Sequence, residues 1–363
     1  ELNAELPRPP ASTMKLLPTW AALDLLGPAY TWKTRAWADA PVVKGVLKGN
    51  LYLQGGGDPL LTIERWWRFI SDLRQTGLRV IEGDIVIDQT RFTPNHERPE
   101  DFDGKFWRTY NVLPDPMLVN WQSSDFTIRP SDDGAGIDIT ILPFPEGLIV
   151  DNRVTLTTGR CVGRNRRVGY TIAPTNPERV VVTGRLATSC GPQTQRLAIM
   201  EPAQYAFGTF VTLWRQLGGE FKGGMLRAPT PPSARLLLTQ ESQPLAEIVR
   251  VTNKYSSNMM ARSLVLAIAA EKSGTPATTA STRARTSSLV SSGFGHALRG
   301  LRIRNVSERY GGIGSLAVSA VPVREKISSA SGTCARSSRS STSCMAVDSL
   351  SDVLGMRLAI TTM

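Results

Sequence analysis

Pro9-Pro10-Ala11-Ser12-Thr13-Met14-Lys15-Leu16-Leu17 places a hydroxyl and an amine three residues apart where a helix is expected to begin. Proline ahead of a first turn and a small hydroxyl residue beside it are helix-entry signals. Residues three apart on a helix lie one above the other. The spacing therefore predicts that the Ser12 hydroxyl and the Lys15 amine touch. A serine hydroxyl is a weak nucleophile until a neighbour takes its proton. Lysine does this only when neutral, which requires desolvation or nearby cations. Taken alone, the pattern also fits a capped helix with a surface lysine.

A second stretch bears on that choice. Tyr255-Ser256-Ser257-Asn258 lies within 245–261, where apolar residues recur at helical spacing on both sides of the Ser-Ser-Asn step. Its plain reading is a helix junction. Its chemical reading is a second candidate pair of polar groups, a hydroxyl and an amide two residues apart.

Composition narrows the classes. The chain has 363 residues, enough for two or three domains, and 41% of them are apolar. No apolar run is long enough to span a bilayer, so no transmembrane segment is expected. Residue 1 is Glu, which reads as a processed or incomplete chain. With only His96 and His296, and no Gly-x-Ser-x-Gly elbow, a Ser-His-Asp hydrolase and a histidine-rich zinc site are disfavoured. No metal or other cofactor is expected, and His96 reads as an exposed loop residue. The four cysteines (161, 190, 334, 344) form no Cys-x-x-Cys pair. Cys161 and Cys190 flank a strand-rich stretch and are expected either to bridge in an oxidising compartment or to remain buried thiols.

The net charge of +11 suggests nucleic acid, but its distribution argues otherwise. From Lys272 onward there are 12 Lys or Arg and 4 Asp or Glu, against 30 and 27 before it. The excess belongs to a Ser/Arg-rich tail, and no nucleic acid is expected as a partner.

Along the chain, the first helix ends at Gly27-Pro28. Val46–Leu53 reads as a strand running into Gly55-Gly56-Gly57-Asp58-Pro59, a triplet read as a tight turn because it lacks the Gly-Lys-Ser/Thr ending of a phosphate loop. A helix over 63–76 and a strand over 81–88 complete a small α/β unit. Short strands around 126–128, 137–141, 154–157 and 180–182 suggest an all-β module. Helical patterning returns at 203–217, and Pro229-Thr230-Pro231-Pro232 forms a stiff joint. The expected fold class is α/β (α+β). A split and incomplete catalytic domain (1–38 and 236–278) is expected, interrupted by an α/β domain (39–116 and 205–235) and a β-rich domain (117–204).

With Pro10-Ala11-Ser12-Thr13-Met14-Lys15, Ala21-Ala22-Leu23-Asp24-Leu25-Leu26-Gly27, Gly49–Pro59 and Asn253–Arg262 in view, the chain resembles the class C low-molecular-mass penicillin-binding proteins. These are periplasmic D-alanyl-D-alanine carboxypeptidase/endopeptidases, and the resemblance covers roughly 1–278. It implies a transpeptidase/β-lactamase-like catalytic domain carrying two inserted domains. It implies Ser12 as the nucleophile that forms an acyl-enzyme, Lys15 as its base, Ser256 as a proton relay and Asn258 as a holder of the substrate amide. It also implies peptidoglycan stem peptides as substrates, β-lactams as covalent inhibitors, the Ser12 N–H as part of the oxyanion hole, and a periplasmic location.

The family's third motif, a Lys-Thr-Gly or Lys-Ser-Gly strand, has no match at the expected distance. Lys272-Ser273-Gly274 matches in letters only, too soon after Ser-x-Asn, and the expected place falls past Met363. Residues 279–363 hold two aromatics, Phe294 and Tyr310, and runs such as Ser337-Ser338-Arg339-Ser340-Ser341. They are expected to be out of frame or disordered. The alternative function is an inactive relative that binds peptidoglycan peptide without turnover.

Overall fold

The computed structural model describes residues 11–93, 97–101 and 103–273, and the backbone of 301–305 and 316–320. Ala11–Lys15 is a turn of 3-10 helix that passes into α1 (Leu16–Leu26). The sequence predicts an ordinary helix start here, and Pro18 accounts for the difference. Proline lacks an N–H and its ring crowds the carbonyl four residues back, here Met14, so a regular α-helix is interrupted at that carbonyl, where the 3-10 turn passes into α1. α1 ends at Gly27, φ 82°, whose N–H donates to the Leu23 carbonyl at 3.1 Å.

After α1 come β1 (Lys33–Ala38), β2 (Val42–Val43), β3 (Val46–Leu47), β4 (Leu51–Gln54), α2 (Ile63–Gln75), β5 (Val80–Ile81) and β6 (Ile85–Asp88). The two long strands expected over 46–53 and 81–88 are each broken in the middle. The breaks let the chain leave one sheet and enter another: β3 and β5 belong to a four-stranded sheet, β4 and β6 to a five-stranded one. Glycine permits this because the backbones nearly touch at the crossing. A Cβ on Gly83 would sit 2.4 Å from the Gly49 carbonyl oxygen, and one on Gly223 would sit 2.2 Å from the Gly83 carbonyl oxygen.

The next stretch is built of β7 (Ser123–Pro130), β8 (Ile137–Leu142), β9 (Ile149–Thr157), β10 (Arg166–Ala173), β11 (Asn176–Ala187) and β12 (Gln193–Ala198). They form two three-stranded sheets, β12-β7-β8 and β10-β11-β9. Phe126, Ile128, Val180, Val182 and Leu186 are fully buried in them. Cys161 and Cys190 form a disulfide.

α3 (Pro202–Gln216) follows, then β13 (Glu220–Phe221), β14 (Met225–Arg227), β15 (Arg235–Glu241), α4 (Leu245–Lys254) and α5 (Asn258–Ser273). The five-stranded sheet runs β14-β6-β4-β1-β15, so β1 and β15 pair antiparallel across the expected breaks at 38 and 236. α2 buries Trp66, Phe69, Ile70 and Leu73, the spacing of one helical face. Trp66 stacks on Phe69 at 5.2 Å and Phe210 of α3 stacks on Trp214 at 5.7 Å. α1, α4 and α5 share a separate core of Ala21, Ala22, Leu245, Ile248, Met260 and Leu264. All of this lies in one compact unit, Pro10–Ser292. In the other unit the described residues are two strands, β16 (Leu301–Asn305) and β17 (Leu316–Ala320), paired antiparallel. The rest of 279–363, with Cys334, Cys344 and His296, lies outside the described residues, as does His96.

The glycine triplet is neither a phosphate loop nor itself a tight turn. Gly55, Gly56 and Gly57 are buried, and a Cβ on Gly55 would meet the Pro116 carbonyl oxygen at 2.3 Å. A Cβ on Gly56 would meet the Lys33 carbonyl oxygen at 2.2 Å, and Gly57, at φ 78°, lies against the Phe92 ring. Asp58 follows, only 4% exposed, and accepts the Leu60 N–H at 2.8 Å. Burial pushes its carboxyl up to about 6, more than the Leu60 N–H and Arg65 at 3.8 Å hold it down. Between the ordinary value of 3.8 and about 6 the folded chain holds a proton here that the unfolded chain has released. This residue should therefore make stability fall as pH rises through that window, by up to about 1.4 kcal/mol per pH unit. Urea titrations at several pH values check it: Asp58→Asn should flatten that slope, and an unchanged slope would assign it elsewhere.

Candidate active site

The 3-10 turn does more for the Ser12–Lys15 pair than an α-turn would. In a 3-10 helix, side chains three apart are eclipsed. Lys15 Nζ donates to Ser12 Oγ at 3.2 Å and to Ser256 Oγ at 3.2 Å, so one amine joins two hydroxyls 241 residues apart. Partial burial lowers the Lys15 amine from its ordinary value. That is the direction which supplies a neutral amine. Ser12 and Ser256 are both exposed, open to a ligand.

Ser256 is held by an unusual helix end. Its φ is 52°, in the left-handed region that favours glycine. The Ser256 N–H donates to the Asn253 carbonyl and the Ser257 N–H to the Thr252 carbonyl, at 3.4 and 3.1 Å. That is a Schellman ending with serine in the usual glycine position. Ser257 then caps α5, its Oγ accepting the Met260 N–H at 3.3 Å. The Ser-Ser-Asn step is thus a true helix junction, and it also delivers a hydroxyl to Lys15. Glycine would relax the strain. Ser256→Gly should raise stability by about 1 kcal/mol in urea unfolding. If the hydroxyl has a chemical role, the same change should slow any Ser12 acylation by at least about tenfold. Equal acylation by this variant and the parent would remove Ser256 from the chemistry.

Asn258 is the exposed first residue of α5, two positions beyond Ser256, and its side chain makes no hydrogen bond with a described residue. Lys272 lies in the last turn of the same helix, about 21 Å along the axis from Asn258. It stands on a helix and not on a strand beside the pair. The far end of α5 is tied down instead. Tyr30 Oη donates to Glu271 Oε1 at 2.7 Å and Arg91 Nη2 donates to the same oxygen at 2.5 Å. Burial and the Glu271 carboxylate raise the Tyr30 phenol, while the Tyr30 and Arg91 hydrogen bonds outweigh burial and lower Glu271.

Sequence reasoning passed over two residues behind the pair, Thr19 and Asn253. Asn253 Nδ2 donates to Thr19 Oγ1 at 3.4 Å. Their spacing was the available signal, since Thr19 lies one turn past Lys15 and Asn253 one turn before Ser256. Among the described residues no group of three or more His, Cys, Asp or Glu is placed to hold a metal.

Comparison with known proteins gives the geometry its context. A profile of the D-Ala-D-Ala carboxypeptidase 3 (S13) family matches residues 1–307. The D-alanyl-D-alanine carboxypeptidase of Actinomadura sp. (strain R39) is 29% identical over 280 residues, covering 73% of this chain and 50% of the relative. The D-alanyl-D-alanine carboxypeptidase DacB of Haemophilus influenzae is 26% identical over 265 residues, covering 71% and 53%. This chain therefore spans about half the length of these two relatives. Penicillin binding protein 4 (dacB) from H. influenzae superposes with a TM-score of 0.68 at 23% identity, covering 86% of this chain and 67% of that one. The same protein complexed with a β-lactam gives 0.63 at 23%, covering 85% and 66%. The mixed α/β architecture is thus the transpeptidase-like fold expected from the sequence.

Proposed function

Because the chain belongs to the D-Ala-D-Ala carboxypeptidase 3 (S13) family, we propose that it derives from a serine-type peptidase that acts on peptidoglycan stem peptides through an acyl-enzyme on Ser12. The observation that carries this reading is the Lys15 amine at 3.2 Å from both Ser12 Oγ and Ser256 Oγ. A neutral Lys15 has one lone pair and two N–H groups. The lone pair takes the Ser12 proton as Oγ attacks the carbonyl between two D-alanines. The Ser12 N–H forms part of the hole for the oxyanion. As the peptide C–N bond breaks, the departing amine receives the proton from Lys15 through the Ser256 hydroxyl. Asn258 holds the substrate amide. Water then cleaves the Ser12 ester, with Lys15 again taking a proton. Removal of a terminal D-alanine and cutting of a cross-link use the same steps. Penicillins would acylate Ser12 and remain, in keeping with the β-lactam complex of the H. influenzae protein.

The Cys161–Cys190 bridge supports an oxidising location such as the periplasm. Among the described residues no helix is long and apolar enough to cross a membrane.

A second reading, a chain that binds stem peptide without turnover, is favoured by the placement of Lys272 on α5, away from the pair. A labelled penicillin separates the two. Covalent labelling that Ser12→Ala abolishes supports the peptidase, whereas a folded parent that binds stem peptide and takes no label supports the binder.

A further inference from the structure

Thr19 stands one turn beyond Lys15, only 2% exposed. Its hydroxyl donates to the carbonyl oxygens of Lys15 at 2.9 Å and Leu16 at 3.1 Å. With its single proton committed, that hydroxyl can only accept from Asn253 Nδ2, at 3.4 Å. The main-chain carbonyl of Asn253 in turn accepts the Ser256 N–H. An unbroken series of hydrogen bonds therefore runs from the backbone of Lys15, through Thr19 and Asn253, to the backbone of Ser256. Asn253 Oδ1 is buried without a hydrogen-bond partner among the described residues, so the nitrogen end is what orients this amide. An orphaned buried carbonyl is unfavourable and calls for an explanation. The helices meet here at tight tolerance: Lys15 Nζ and Ser256 Oγ are 3.2 Å apart, and a few tenths of an ångström more ends a hydrogen bond.

We propose that Thr19 and Asn253 are positioning residues, whose hydrogen bond sets the approach of α4 to α1 at which one amine reaches Ser12 and Ser256 together. The proposal rests on the Ser12–Lys15 reading of the site, and the linkage passes behind the reacting groups without touching substrate. α1 and α4 also share an apolar core that includes Ala22, Leu245 and Ile248, and the start of α4 is tied to the turn after α1, the Leu245 N–H donating to the Tyr30 carbonyl at 2.8 Å and the Ala246 N–H to the Pro28 carbonyl at 3.1 Å. Those bonds fix the far end of α4; the Thr19–Asn253 bond is the directional constraint at the end next to the site, one turn behind each reacting side chain.

Two substitutions at one position separate hydroxyl from shape. Thr19→Val keeps the shape and loses the hydroxyl; Thr19→Ser keeps the hydroxyl and loses a methyl. In the full chain, the rate of Ser12 acylation by a labelled penicillin should fall about tenfold or more in Thr19→Val and in Asn253→Ala. The double variant should fall no further, because both changes cut one link. Thr19→Ser should stay within about threefold of the parent, since the link is intact. A packing defect would give the opposite order, with serine worse than valine. The second readout needs no acylation: competitive acetylation of Lys15 across pH, followed by mass spectrometry. The parent and Thr19→Ser should show Lys15 titrating below an ordinary lysine, and Thr19→Val and Asn253→Ala should move it back up as Ser256 withdraws. If Asn253→Ala does not fold, the Thr19 pair decides alone. If penicillin labels neither the parent nor Ser12→Ala, the proposed reaction fails while the Lys15 profile still tests the positioning role. Equal Lys15 profiles in all variants, or serine as damaging as valine, would overturn it.

Discussion

Replacing Lys15 with methionine should slow acylation of Ser12 by about a thousandfold, the range lost when a general base is removed. Methionine keeps an unbranched stem of similar volume, so α1 should remain packed on α4 and α5 while the amine is gone. Among the described residues the hydrogen bond to Ser12 Oγ comes from Lys15, and no other described base is bonded to that hydroxyl. Arginine sharpens the test. It keeps the positive charge but holds its proton throughout the accessible pH range. If Lys15 acts by taking a proton, Lys15→Arg should be as slow as Lys15→Met; if it acts only as a cation, arginine should retain most of the rate. The parent's rate should rise with pH as the amine deprotonates. Burial lowers that amine from its ordinary 10.5, so the rise should be centred below that value. Stopped-flow labelling with a chromogenic cephalosporin across pH measures both effects. A rate in Lys15→Arg above a tenth of the parent's would sink the base assignment.

Removing the Cys161–Cys190 bridge should cost about 3.6 kcal/mol of stability, the chain-entropy value for a loop closed over 29 positions. The bridge ties the turn after β9 to the end of β11, and Cys190 is 6% exposed within the core. A domain's whole stability is commonly about 5–15 kcal/mol, so reduction should shift the guanidinium midpoint visibly. Neither Ser12, Lys15, Ser256 nor Asn258 lies in the bridged segment. The Cys161→Ala/Cys190→Ala chain, while folded, should therefore take penicillin label as fast as the parent. A loss of stability under 1 kcal/mol would mean that residual structure already restricts the loop in the unfolded chain.

The strands illustrate what escaped a linear reading. Val46–Leu47 and Leu51–Gln54 carry one alternating pattern and were expected to form one strand. The break at Gly49 exists because the backbone around Gly83 passes against it, and Gly223 presses on Gly83 in turn. Periodicity reports which face of a segment is apolar; it says nothing about another backbone 34 positions away. The helices were easier. Trp66, Phe69, Ile70 and Leu73 announce one face of α2, and that face is the buried one. The Cys161–Cys190 pairing had two open outcomes in the sequence, and only proximity of the two turns decided it.

At the site the division is clear-cut. Meeting of Ser12 with Lys15 is written into a separation of three residues within one helical turn, and the 3-10 pitch of that turn eclipses them. These are local steric facts that any fold containing this helix would inherit. Arrival of Ser256 at the same amine is not local: it needs α4 packed on α1, a left-handed serine at the junction, and the Thr19–Asn253 contact between the two helices. Only the tertiary structure decided that, because a separation of 241 residues is bridged by packing and not by the torsions of neighbouring residues.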